Sequence, residues 1–147
     1  MVERGREAQE PPRTVTGKYD RGLGWEELHL EIDLVGARTV SPRQDLVQGP
    51  VRRGRWIAAR FRARNRGSDA SDRYPHLVAV DENGRPYHSG SPERALRLEP
   101  SFENLRVPPQ GRRDGYLSVQ VPERVPIDRL ELKLFGQSLG WDLDHSL

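Results

Sequence analysis

Between Arg55 and Gly67 the chain reads Arg-Trp-Ile-Ala-Ala-Arg-Phe-Arg-Ala-Arg-Asn-Arg-Gly. Ile57, Ala59, Phe61 and Ala63 fall at one parity, and Arg60, Arg62, Arg64 and Arg66 at the other. Successive side chains of a strand point to opposite faces, so this pattern predicts a ribbon with one side for a core and one for water or a partner. A half-wet strand of that kind belongs to an antiparallel sheet and argues against a parallel sheet buried on both faces.

The same alternation recurs along the chain. Leu28, Leu30, Ile32 and Leu34 share a face within Glu27 to Val35, and His76 to Asp81 is a short apolar run. Asn83-Gly84 supplies the positive φ angles of a tight hairpin after Asp81, with a return strand at Tyr87. Asn104 to Val107, Tyr116 to Val121 and Ile127 to Phe135 read as further strands, and Leu139, Trp141 and Leu143 suggest a last one. The stretch Ser41 to Gly54 reads as loop with a short edge strand, and Ser89 to Pro100 as a polar loop with one helical turn near Pro92 to Leu96. Residues 1–16 are charged, proline-containing and aperiodic, and read as a flexible linker; residues 17–147 form the domain.

The 14 glycines and 12 prolines fall mainly between these runs, where a many-turned β domain needs them. The expected fold is an all-β, immunoglobulin-like antiparallel β-sandwich of about seven or eight strands. About fifteen to twenty large apolar side chains, each contributing ~1.5–3 kcal/mol on burial, suffice without disulfides. None is possible, since there is no cysteine.

The net charge is only +2, and 22 of the 24 basic residues are arginine, a bias typical of GC-rich genomes. Near-balance of this kind does not by itself imply a nucleic-acid partner. No apolar run approaches the ~18 residues of a membrane span, and no apolar stretch follows Met1.

One order of features carries a resemblance. A strand ends in Asn65-x-Gly67; a second runs into Val80-Asp81-Glu82-Asn83-Gly84-Arg85-Pro86-Tyr87; then come Pro109-Gln110-Gly111-x-x-x-Gly115-Tyr116, Val121-Pro122-Glu123 and Leu130-Glu131-Leu132-Lys133-Leu134. From about Glu27 to Phe135 this resembles a bacterial immunoglobulin-like domain of unknown function, similar in fold to the secreted mycobacterial immunogenic proteins. The resemblance implies export or tethering at the cell envelope after a polar linker such as Gly5 to Pro12, and implies no catalytic residue and no cofactor.

Candidate chemistry is sparse. Gly136-Gln137-Ser138-Leu139-Gly140 matches G-x-S-x-G, but a nucleophile elbow needs a strand before it and a helix after it. A Gly-flanked turn explains it equally. The histidines His29, His76, His88 and His145 lack zinc-site spacing, and Asp142-x-Asp144-His145 offers at most a weak chelate. Asp81 to Gly84 lacks the carboxylate spacing of a calcium loop. No catalytic and no metal residue is therefore assigned.

The arginine stripe remains, with Arg52, Arg53 and Arg55 as possible extensions. It either pairs across strands with carboxylates such as Glu131 or Asp33, or binds an acidic protein or ligand. The expectation is a non-enzymatic binding or structural module with Trp56, Arg60, Arg62, Arg64 and Arg66 as its contact surface. A cytoplasmic nucleic-acid-associated protein using the same stripe is the alternative.

Overall fold

The computed structural model describes residues 13–20, 25–40, 55–67, 71–73, 75–89, 98, 100–102, 105–134 and 136–147. It is all-β: ten strands and no helix among the described residues. In chain order they are β1 Arg13–Asp20, β2 Trp25–Val40, β3 Arg55–Asn65, β4 Ser71–Arg73, β5 His76–Asp81, β6 Pro86–His88, β7 Leu105–Val107, β8 Arg112–Val121, β9 Ile127–Leu134 and β10 Gln137–Asp142. One antiparallel sheet runs β1-β2-β3-β8, the other runs β10-β9-β5-β6, and β4 and β7 form a small ribbon.

The alternation in β3 organises the interior. Ile57, Ala59, Phe61 and Ala63 are fully buried, facing Leu77, Ala79, Leu130 and Leu132 of the second sheet. Phe61 sits at the centre, its ring 5.6 Å from that of Phe102 and 5.5 Å from that of Trp141. Tilted aromatic contacts at this spacing add about 0.5–1.5 kcal/mol each to the area they bury.

Four of the motif residues have structural duties. Asn65 is fully buried; its Nδ2 donates to the Val107 carbonyl at 2.9 Å and its Oδ1 accepts from the Gly67 amide at 2.9 Å. Asp81 is buried at the β5–β6 turn and accepts from the Asn83 and Arg85 amides and the Tyr87 hydroxyl. Those bonds, led by the Arg85 amide, hold its carboxyl below the usual aspartate range. Gly84 takes the left-handed conformation, φ 80°, that this hairpin requires. Gly115 lies against the backbone of Ser101 and Phe102, where an added Cβ would stand 2.7 Å from the Ser101 carbonyl carbon.

The strands outnumber the seven or eight expected, because short ribbons such as β4 carry no alternation of their own, and β2 runs on to Val40 past the expected end at Val35. Two starts also differ. β1 begins at Arg13, inside the stretch read as linker, and pairs with β2 from Arg13↔Ile32 to Asp20↔Trp25. Its own sequence is weakly patterned, with Val15 its buried apolar anchor, so the pairing partner decides its state. β8 starts at Arg112, four residues ahead of the expected start at Tyr116, because Arg112, Arg113 and Asp114 complete the ladder with β3. The interpretations placed on Ser41–Gly54 and on the helical turn at Pro92–Leu96 lie outside the described residues.

β1 also links the two sheets at one side. Arg13 Nε donates to the Gly140 carbonyl at 3.1 Å, and Gln137 Nε2 donates to the Thr16 carbonyl at 2.6 Å.

Candidate functional site

The outer face of the first sheet is set by two registers, β2 against β3 and β3 against β8. Glu31, Arg64 and Arg112 stand in one row across β2, β3 and β8; Asp33, Arg62 and Asp114 stand in the next. Arg60 and Tyr116 follow, and Trp56 lies furthest along β3. The stripe expected from the sequence is therefore one continuous face.

Its members differ in what they are free to do. Arg60 and Arg62 both reach Asp114, each at 3.2 Å, and Arg66 pairs with Glu31. The Arg60 guanidinium also lies over the Tyr116 ring, 5.8 Å from its centroid, and Arg38 approaches that ring at 6.0 Å. Arg62 and Arg66 keep nearly half their side-chain surface in water, so these pairs contribute little to stability and leave charge accessible.

Trp56 is not part of an accessible surface. It is 5% exposed and packs against Val40 and Leu98 in a small apolar cluster of its own on the outer side. Parity put Trp56 on the correct face; the apolar partners that cover it come from remote chain positions and leave no local signal. Arg55 is likewise withdrawn: it donates to the Thr39 hydroxyl and to the Pro122, Val125 and Leu147 backbone oxygens. Arg52 and Arg53 lie outside the described residues. Glu131, expected as a cross-strand partner of the stripe, belongs to the other sheet, where Arg129 bridges it and Asp142 at 3.1 and 2.9 Å.

Arg64 and Arg112 are the unusual pair. They face each other across β3 and β8, and among the described residues neither makes an ion pair. Like charges directly opposite in a sheet are destabilising. Together with Arg62, Glu31 and Asp33 they line a depression of about 200 Å³. Burial raises the Asp33 carboxyl above the ordinary aspartate range and Glu31 adds to this, while Arg62 opposes it. Arg112 was not singled out by sequence, since it lies outside any alternating run; only the β3–β8 register reveals it.

No protein-family model, curated protein or solved structure matches the chain.

The remaining candidates resolve as follows. Ser138 is exposed in β10, which stays extended through Asp142, so the strand-to-helix turn of a nucleophile elbow is not formed there. Gly136 takes φ 71° in the β9–β10 turn, and Gly140 lets the Arg129 guanidinium lie across the strand. Among the described residues no three histidines or carboxylates gather as metal ligands, and no helix is long and apolar enough to cross a membrane.

Proposed function

We propose that this chain is an immunoglobulin-like binding module of the bacterial cell envelope or exterior, without catalysis of its own. We infer that its contact surface is the Arg62–Arg64–Arg112 corner and that its partner is an acidic protein segment. One observation carries the choice of site: two facing arginines without carboxylate partners among the described residues, beside a depression. A sheet that retains a repulsive pair on its exposed face gives up stability locally, which is expected where a ligand supplies the missing charge. Arginine's planar fork suits paired recognition of carboxylates.

The immunoglobulin-like assignment is supported by strand order. Lettered in that style, β2, β3 and β8 stand as A-B-E, and β10, β9, β5 and β6 as G-F-C-C′, with β1 as an addition beside A. The envelope location is supported by the sequence resemblance. A protein segment is favoured over nucleic acid because Glu31, Asp33 and Asp114 stand among the arginines. A phosphate backbone running along β3 would meet those carboxylates, whereas a mixed-charge peptide can place its own cations against them.

Fluorescence anisotropy of the full chain tests this, with a labelled Asp/Glu-rich peptide and a labelled single-stranded oligonucleotide at 50 and 200 mM salt. The peptide binds, and Arg64→Ala combined with Arg112→Ala weakens it by about tenfold or more, as for loss of charge-assisted contacts. Equal binding by the double variant refutes the site. Preference for the oligonucleotide, with a steep linear log–log salt slope, refutes the partner class.

A further inference from the structure

Two imidazoles meet on the outer face of the second sheet. His76 opens β5 and His88 closes β6, and the register Val78↔His88 sets them diagonally across the hairpin on the same side. That diagonal is within reach of aromatic side chains. His76 Nε2 lies 3.2 Å from His88 Nδ1, and the ring centroids are 5.3 Å apart. The rings thus meet edge to edge through those nitrogens instead of lying face over face. His76 Nδ1 lies 3.1 Å from Ser89 Oγ, and the Ser89 amide is itself bonded to the Leu77 carbonyl at 2.9 Å.

We propose that His76 and His88 form a two-imidazole site for a borderline transition-metal ion such as Zn²⁺, Ni²⁺ or Cu²⁺, with Ser89 as a positioning residue. Two nitrogens at tetrahedral angles on Zn–N bonds of ~2.0–2.1 Å stand about 3.3 Å apart, so the pair already has the spacing of two ligands on one ion. The terminal torsion of histidine is soft, and a modest outward swing of both rings aims their lone pairs at a common point. Ser89 accepting from Nδ1–H leaves the lone pair of His76 on Nε2, the role of an outer partner that fixes a ligand's tautomer. His88 must then carry its proton on Nε2 in place of Nδ1, an exchange that water mediates at this exposed ring. Water or a donor from a partner fills the remaining positions. Imidazole selects for these ions, whereas Mg²⁺ and Ca²⁺ require oxygen ligands.

The surroundings set the limits of the site. Lys133 stands directly across from His76, and Glu131, held by Arg129, stands across from Val78. Burial holds His76 below the ordinary imidazole range, and His88 and Lys133 add to that, which favours the neutral form that a ligand must have. Lys133 repels a dication, so its removal should tighten binding, a response that a purely structural histidine pair would not give.

Titration of the full chain with ZnCl₂, NiCl₂ or CuCl₂ at pH 7.5, followed by calorimetry and, for the diamagnetic Zn²⁺, by imidazole ¹⁵N NMR, tests the site. One ion binds per chain, the His76 and His88 signals move, and those of His29 and His145 do not. His76→Gln or His88→Gln abolishes measurable binding, Ser89→Ala weakens it about tenfold, and Lys133→Ala strengthens it. Binding fades as the pH falls through the imidazole range. Absence of binding at millimolar ion, shifts centred on His29 or His145, or wild-type affinity in His88→Gln each overturns the assignment. The ring signals of the unmodified protein decide the matter even if a variant fails to fold.

Discussion

Replacing Asn65 by leucine isolates the contribution of one buried amide. Leucine is close to asparagine in size, so the change removes hydrogen bonds without opening a cavity. The Asn65 side chain satisfies two buried backbone groups, the Val107 carbonyl and the Gly67 amide, each at 2.9 Å. An orphaned buried polar group costs about 1–3 kcal/mol, so the pair predicts a loss of ~2–6 kcal/mol, offset by a small gain from burying the isobutyl group. That is a large share of the ~5–15 kcal/mol total for a domain of this size. Urea unfolding monitored by tryptophan fluorescence should show a lower midpoint with an unchanged slope. Asn65→Asp, which keeps the acceptor for Gly67 but places a carboxylate against the Val107 carbonyl, should be at least as damaging. A loss below about 1 kcal/mol for Asn65→Leu would show that water reaches these groups and that the turn at Pro108–Gly111 is held by other bonds.

Other outcomes follow from the same geometry. Arg112→Glu replaces a repulsive cross-strand pair with an attractive one and should raise stability by about 0.2–1 kcal/mol in thermal melts while abolishing acidic-peptide binding; lower stability would contradict the proposed strain. Acid titration of urea midpoints should separate two aspartates. The folded-state pKa of Asp81 is depressed, so its contribution is present at neutral pH and is lost as pH falls from the unfolded value of ~3.9 through the folded value. Asp81→Asn should therefore differ most from wild type near pH 7. The folded-state pKa of Asp33 is raised, so its ionised form opposes folding at neutral pH, and Asp33→Asn should gain stability near pH 7 but not at pH 3. Gly115→Ala, whose Cβ meets backbone, should cost ~1–3 kcal/mol, more than Gly140→Ala, where the obstruction is a guanidinium that can swing aside. Chemical denaturation of both variants measures the difference.

The parts of the fold legible in sequence were those with period-two contrast. β3 and β9 lie where alternation put them, β5 lies where a short apolar run did, and Phe61 and Leu132 are fully buried as their parity required. What local pattern did not carry was set by partners distant in sequence. β1 is weakly patterned and forms because β2 offers an edge. Trp56 is covered from outside by Val40 and Leu98, and Arg112 gains its meaning only opposite Arg64. The meeting of His76 with His88 could have been found by counting outward from the Asn83-Gly84 turn, which fixes the hairpin register.

The side-chain bonds from Arg13 and Gln137 have a bearing on solubility. With β1 in place, the Trp25–Ile32 half of β2 is paired, and β10 is overlaid by the Arg129 guanidinium and tied to β1. A chain trimmed to begin after Asp20 would bare the amides and carbonyls of the Trp25–Ile32 half of β2 that β1 pairs. Such rims template strand addition from other molecules, so the trimmed protein would be drawn toward edge-to-edge polymers at concentrations where the intact one stays dispersed.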